Sequence, residues 1–290
     1  MAFKASTERG RKKKVAGEGK QLFINAGVEA WYRKELDREI LAMTQDYREA
    51  IRGCFENRSV RAFYTEDAAA ANVFQGAMTR LRKKWAKRFE DLAKRLAPAF
   101  VQKGETYSAF TTKHVLKGLG VMDPNNPKSV DLHNALQASV AENVALITNI
   151  QQDFAKGIEG DVYRSIASNN PTENGSSKVM ENLLKKEGIT KRRAEVIARD
   201  QNAKLYTNLN KLRMEANGVK LFRWKHSSAG KTQRHTHLER QRQDVGYGPG
   251  IFRFDSPELW EGPQSDWGLP GEAINCRCRM QPIIDPSLLY

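Results

Sequence analysis

Two histidines and two cysteines in the last sixty residues of this 290-residue chain are of types that bind metal ions. His235 and His237 offer imidazole nitrogens and Cys276 and Cys278 offer sulfurs, which is a sufficient tetrahedral set for zinc. Only one residue separates the cysteines, however, whereas structural zinc sites favour about two to four. We therefore favour a packing interpretation, in which both cysteines face the core of a final strand and the alternating arginines face outwards. No cofactor is then expected, and zinc is the alternative.

The same histidines lie in a basic loop that could contact phosphate. Lys231, Arg234, His235, Thr236 and His237 supply the residue types of a metal-independent ribonuclease, which needs a base, an acid and cations. No pairing of a carboxylate with a histidine is evident, and the chain has neither a Gly-rich phosphate loop nor a Gly-x-Ser-x-Gly turn. We therefore expect structural or phosphate contacts here, no catalytic residues, and a protein that is not an enzyme.

The positive charge of the chain is concentrated in two segments. Residues 1–20 hold seven Lys and Arg against two Glu, and residues 191–244 hold fourteen against five acidic residues. These excesses of +5 and +9 account for the whole formal net charge of +14. Clustered charge predicts contact with a polyanion, most often nucleic acid, although Lys and Arg also serve simply to keep a surface soluble.

Composition narrows the class of protein further. Three cysteines do not make a disulfide framework, so a reducing compartment is expected. No stretch approaches the roughly 18 consecutive apolar residues of a membrane-spanning helix. The basic N-terminus is not followed by an apolar segment, so no secretory signal is predicted.

Apolar residues at spacings of three and four predict long helices between residues 28 and 190. Pro98 is expected to limit the second of these helices, and Asp131 to cap the third. Polar breaks at 123–127 and 169–177 separate the segments. The three apolar faces are Leu36, Ile40, Met43, Tyr47 and Ile51; Leu81, Trp85, Phe89, Leu92 and Leu96; and Val140, Val144, Ile147, Phe154, Ile158 and Val162.

The last hundred residues have a different pattern. Thr190 is predicted to cap one more helix, which ends before Gly218. Short strands are predicted at 220–226, 251–254 and 277–284, separated by long loops. The fold class expected is α+β and predominantly α, with long N-terminal helices followed by a small C-terminal α+β module. We divide the chain into a basic flexible arm (1–27), a helical domain (28–178) and the C-terminal module (179–290).

The C-terminal third resembles the phage Mu F-like, or minor head morphogenesis, family of tailed bacteriophages. The resemblance covers about residues 180–285. Its most specific part is the closing Cys-Arg-Cys-Arg sequence, which follows Pro-Gly-Glu. The stretch Asp244–Gly250 departs from the family, which commonly has Asp-Gly shortly before the Ile-Phe step. The matching residues are, in order, Arg193, Ala198-Arg199-Asp200-Gln201, Asn217-Gly218, Trp224, Arg234, His237, Gly250-Ile251-Phe252, Pro270-Gly271-Glu272 and Asn275-Cys276-Arg277-Cys278-Arg279.

This resemblance implies a low-copy virion component that acts in procapsid assembly and genome ejection. Its expected partners are the portal protein, capsid or scaffold proteins and packaged double-stranded DNA, and its location is the capsid interior or portal vertex, after assembly in the host cytoplasm. Two alternatives stay open: a phage-delivered basic nuclease or toxin-like enzyme, and a sequence-independent DNA-binding protein. The expected polar cluster is Arg193, Arg199, Arg234 and His237, and the expected structural residues are Trp224, Gly271, Cys276 and Cys278.

Overall fold

Four long helices and a small antiparallel sheet make up most of the described part of the chain. The computed structural model describes residues 17–56, 67–121, 130–168, 176–227, 233–285 and 288. The helices are α1 (Ala26–Glu56), α2 (Asp67–Gly118), α3 (Val130–Ala167), α4 (Ser176–Ala216) and the short α5 (His235–Arg240). The strands are β1 (Gly17–Glu18), β2 (Leu221–Lys225), β3 (Ile251–Arg253) and β4 (Arg279–Ile284). The predicted fold class, α+β and mostly α, is confirmed.

The long helices form where the apolar repeat is regular. All five residues predicted on the inner face of α1 are fully buried, as are Trp85, Phe89 and Leu96 of α2. Tyr32 stacks on Phe100 with ring centroids 4.4 Å apart. None of the helices in the described part of the chain combines the length and apolar character needed to cross a bilayer.

Two helix boundaries differ from prediction. Helix α2 continues through Pro98, although proline removes one backbone hydrogen bond from the helix interior. Buried residues on both sides of it, from Leu96 to Val101, hold the helix against its neighbours and outweigh that loss. Thr190 lies inside α4, where its hydroxyl donates to the Lys186 carbonyl at 2.8 Å instead of capping a helix. The polar breaks at 123–127 and 169–177 lie largely outside the described residues.

The chain separates into two compact units that are not consecutive in sequence. The helical unit comprises residues 26–103 and 137–201, and the sheet unit comprises residues up to 25, 104–136 and 202–290. This differs from the sequential division at 27 and 178, because α2 and α4 each contribute to both units. Residues 17–25, expected in a flexible arm, provide strand β1 and an extended segment of the sheet unit.

The sheet has the order β1-β4-β2-β3 and is antiparallel throughout. Central strand β2 is buried on both faces: Phe222 and Trp224 enter the main core of the sheet unit, and Leu221 packs with Ile251 and Ile283 on the opposite face. Trp224 is paired across the ladder with Met280 of β4. The sheet thus places the fully buried indole of Trp224 beside the segments that carry the histidine and the cysteines.

Candidate functional site

Helix α5 presents one buried face and one exposed face. His237 and Arg240 are three residues apart and therefore share a face, and both are buried. His235 and Glu239 lie on the exposed side, where they form an ion pair at 3.3 Å when the histidine is protonated. Of the two histidines proposed as metal ligands, only His237 thus points inward, since residues two apart on a helix do not face the same way.

Arg234 joins the start of α5 to two separate loops. Its guanidinium donates to the Ser265 carbonyl at 2.8 Å and to the Ile274 carbonyl at 2.7 Å, and it pairs with the Asp266 carboxylate at 3.1 Å. Thr236 donates to the same carboxylate at 2.5 Å. The guanidinium of the predicted site residue Arg234 therefore makes contacts within the protein that hold the loops together.

The carboxyl of Asp266 is ionised within this contact. Burial opposes its ionisation, but hydrogen bonds from Thr236 and Ser265 and the charge of Arg234 hold its pKa below the usual value. Asp266 had no sequence signal, because it lies in a loop 29 residues from His237.

Arg240 is a buried cation that donates hydrogen bonds to three backbone carbonyls. It donates to Asp266 at 2.7 Å, Leu259 at 3.1 Å and Glu261 at 3.2 Å. Its guanidinium carbon lies 5.2 Å from the centre of the Trp224 ring. Burial lowers its pKa, while the nearby acidic groups oppose that shift. Sequence reasoning missed this residue, although its spacing of three from His237 on a helix was a usable signal.

The imidazole of His237 lies between a carbonyl and two thiols. Nε2 is 3.2 Å from the Asp266 carbonyl, while Nδ1 is 3.5 Å from the sulfur of Cys276 and 3.7 Å from that of Cys278. A carbonyl only accepts, so Nε2 carries the hydrogen and Nδ1 directs its lone pair at the sulfurs. The edge of the ring packs against Trp224, with centroids 5.1 Å apart.

Both cysteines are buried and Arg277 between them is exposed, as predicted, whereas Arg279 is only partly exposed. They lie just before β4 and not on it. The Gly271 amide donates to the sulfur of Cys276 at 3.3 Å. A hydrogen bond from the Cys278 thiol lowers the pKa of Cys276 despite its burial, and the same contact raises the pKa of Cys278. The described ligand atoms of His237, Cys276 and Cys278 all lie within 4.8 Å of one another, so these residues could hold a metal ion.

The Pro270-Gly271-Glu272 step is a tight turn held against α4. Thr207 of that helix donates to the Pro270 carbonyl at 2.6 Å. Gly271 has a φ of +103°, and a Cβ atom there would lie 2.6 Å from the Thr207 hydroxyl oxygen. The Glu272 carboxylate accepts the Leu269 amide at 2.6 Å. The turn therefore requires glycine on two grounds, backbone conformation and space.

The other two members of the predicted polar cluster lie elsewhere. Arg193 pairs with Asp153, and Arg199 pairs with Glu195 at 2.8 Å. Both arginines belong to the helical unit, whereas Arg234 and His237 belong to the sheet unit. The four residues therefore fall in different compact units, because the 41-residue helix α4 is divided between them after Gln201.

The basic segment 191–244 carries less free charge than its composition indicates. Arg213 is paired with Glu105 at 2.9 Å, with both side chains largely buried, and Arg223 is paired with Glu18 at 2.5 Å. Arg240 is buried as well. Arg192 and Arg242 are exposed, and Lys231 lies outside the described residues. Part of the positive charge on which the prediction of polyanion contact rests is thus paired with acidic residues or buried.

Comparison with known proteins gives one distant relative. No protein-family model and no solved structure matched the chain. A Haemophilus influenzae protein described only as an uncharacterized protein is 26% identical over 273 residues, which cover 92% of this chain and 55% of the relative. The chain therefore spans about half the length of the curated relative that it matches.

Proposed function

We propose that this protein is a minor head protein of a tailed bacteriophage. It acts in procapsid assembly as a low-copy component that contacts the portal or inner capsid, and its basic segments lie against packaged DNA. Its C-terminal part is a non-enzymatic binding module of the Mu F-like type. Genome ejection is a further step in which such a component takes part.

One observation carries this proposal: residues of the resemblance that are far apart in sequence meet at one junction. Arg234 bridges the loops around Ser265 and Ile274, and His237 meets the two cysteines. Gly271 donates to one of those cysteines. These contacts support the view that the residues of the resemblance act together as one structural motif.

The environment of these residues supports a binding role over catalysis. His237 is 2% exposed and Arg240 is 3% exposed, and Arg240 donates hydrogen bonds to three backbone carbonyls. A general base must come within hydrogen-bond distance of its substrate, and a phosphate-binding arginine must direct donors outward. Neither condition holds at this junction.

Three exposed apolar side chains near the junction support contact with another protein. Trp260, Trp267 and Ile274 are 50%, 38% and 58% exposed. They lie on neighbouring segments: the Gly268 amide donates to the Leu259 carbonyl at 2.9 Å, and Arg234 joins the Ser265 and Ile274 carbonyls. Exposed tryptophans with polar surroundings are typical of protein interfaces. We name these three residues the tryptophan patch and assign it to the portal contact.

The proposed DNA contact depends on two groups of basic residues. Sequence segment 1–20 has an excess of +5, and Arg192, Lys220 and Arg242 are exposed in the basic segment. Such side chains neutralise phosphates without reading sequence, so binding should weaken steeply as salt rises.

Co-expression with the portal protein of the same phage genome tests the proposal. We expect affinity-tagged chain to retain the portal protein through washing, while an unrelated basic protein of similar charge does not. Failure to retain portal protein or procapsids would count against the proposal. Cleavage of DNA or RNA that disappears in His237→Ala would favour the enzyme alternative, and salt-sensitive duplex binding without portal capture would favour a DNA-binding protein.

A further inference from the structure

We propose that His237, Cys276 and Cys278 bind one zinc ion, which fastens helix α5 to the segment before β4. The juxtaposition that carries this inference is one imidazole nitrogen facing two cysteine sulfurs within a buried junction. The inference concerns the fold of the sheet unit, so it does not depend on the proposed phage function.

The distances match those of a tetrahedral thiolate–imidazole centre. Zinc–sulfur bonds of about 2.3 Å and zinc–nitrogen bonds of about 2.1 Å at the tetrahedral angle place the two ligand atoms about 3.6 Å apart. Nδ1 of His237 lies 3.5 Å and 3.7 Å from the two sulfurs. Both edges of the triangle that contain the nitrogen therefore have the length that a shared zinc ion requires.

Hydrogen bonding alone explains this geometry less well. The neutral imidazole has one lone pair, on Nδ1, and it can accept one good S–H hydrogen bond. Since the Cys278 thiol donates to Cys276, hydrogen bonding leaves Nδ1 to one sulfur only, yet both sulfurs lie at nearly equal distance from it. A cation placed between the three atoms uses all of them at once.

The surroundings of the histidine are those of a metal ligand. Metal-bound imidazoles commonly donate their other N–H to a carbonyl or carboxylate, which fixes the tautomer and the ring orientation. Nε2 of His237 faces the Asp266 carbonyl at 3.2 Å, and Arg240 donates to that same carbonyl at 2.7 Å. The ring is also held by the indole of Trp224.

The charge of the site is balanced by a divalent ion. Two thiolates and a neutral imidazole around Zn²⁺ sum to zero, which suits residues that are 2–5% exposed. The Gly271 amide donates to Cys276, and amide donors stabilise thiolates more strongly than thiols. Sulfur and imidazole ligands favour zinc over the oxygen-seeking ions Mg²⁺ and Ca²⁺. The described residues supply three protein ligands, so one further ligand completes the tetrahedron.

The single residue between the two cysteines, which the sequence analysis counted against a zinc site, is compatible with this geometry. A short Cys-x-Cys pair needs an extended backbone to direct both sulfurs to one side, and Cys276 and Cys278 are both buried while Arg277 is exposed. The third ligand, His237, comes from helix α5, and the site does not need a second pair of closely spaced ligands.

Metal analysis of the full chain, purified without chelators, tests the inference. We expect about one zinc per chain by mass spectrometry of the dissolved metal. Replacement by Co²⁺ should give sulfur-to-cobalt charge transfer and the visible absorption of a tetrahedral site. Zinc below about one tenth per chain, together with no charge-transfer band on Co²⁺ titration, would overturn the inference.

Matched variants distinguish ligands from neighbours. His237→Ala, Cys276→Ser and Cys278→Ser should each reduce bound zinc by about tenfold or more. His235→Ala, on the exposed side of the same helix, and Cys54→Ser, a buried thiol of the helical unit, should leave it unchanged. Zinc that follows His235 or Cys54 would contradict the assignment.

A second measurement uses the wild-type chain and therefore does not depend on whether the variants fold. Wild-type chain with and without zinc is treated with a thiol reagent in native buffer, and we expect zinc to slow modification of Cys276 and Cys278 by about tenfold or more. Equal rates, read residue by residue from peptide masses, would contradict the inference. Loss of portal capture with zinc retained would refute only the proposed function.

Discussion

Replacement of Gly271 by alanine should destabilise the sheet unit strongly. The residue has a φ of +103°, a conformation that costs a non-glycine residue about 1–3 kcal/mol. The new Cβ would lie 2.6 Å from the Thr207 hydroxyl, which must move and give up its 2.6 Å hydrogen bond to Pro270. Loss of that bond adds about 1 kcal/mol, so the expected total is about 2–4 kcal/mol.

Gly246→Ala is the matched control for this substitution. Gly246 has a φ of +99°, but its Cβ would meet nothing within 4 Å. It therefore carries the backbone strain without the steric clash, and its cost should be smaller by about 1 kcal/mol or more. Urea unfolding followed by tryptophan fluorescence measures both free energies.

A double substitution tests the steric part directly. Thr207→Ala removes the hydroxyl that the new Cβ would meet, so Thr207→Ala with Gly271→Ala should cost about 1 kcal/mol less than the sum of the two single changes. Equal costs for Gly271→Ala and Gly246→Ala, with additive behaviour in the double variant, would refute the account of this turn.

Three further outcomes are expected. Arg213→Ala should cost about 3–5 kcal/mol in urea unfolding, because it removes one member of a largely buried ion pair and the hydrogen bond to Ser108. The exposed Arg95→Ala should cost about 0.5 kcal/mol or less, and similar values for both would contradict the assigned pair. Alanine at both tryptophans of the tryptophan patch should reduce portal capture by about tenfold while unfolding free energy changes by about 1 kcal/mol or less, and Phe110→Ala, which removes another exposed apolar side chain, should leave capture intact. Chelation of zinc should lower the melting temperature of the wild-type chain by about 5 °C or more but leave that of Cys276→Ser unchanged; no shift would contradict a zinc contribution to stability.

Much of the fold followed from local pattern. The inner face of α1, from Leu36 to Ile51, is buried because its repeat matches the helix period without interruption. The ends of strands β2, β3 and β4 were predicted to within two residues, since alternating and β-branched or aromatic residues mark these strands. Strand β1 was missed because its two residues, Gly17 and Glu18, carry no such pattern and pair only through β4.

The errors arose where distant contacts outweigh local preference. Pro98 does not end α2 because buried neighbours on both sides hold the helix. Rules based on local sequence do not take such packing into account. Arg193 and Arg199 lie on the same helix as residues of the sheet unit but belong to the other unit. The inward orientation of Cys276 and Cys278 was predictable, whereas their meeting with His237 depends on how α5 packs.

The composition of assembled particles tests the central claim most directly. Procapsids and mature virions, purified from cells that produce the phage, are analysed by quantitative mass spectrometry for this chain and the portal protein. We expect the chain in both kinds of particle, at a few copies for each portal ring and far fewer than the major capsid protein. Its absence from purified procapsids and virions, with normal amounts in the infected cell, would contradict the account.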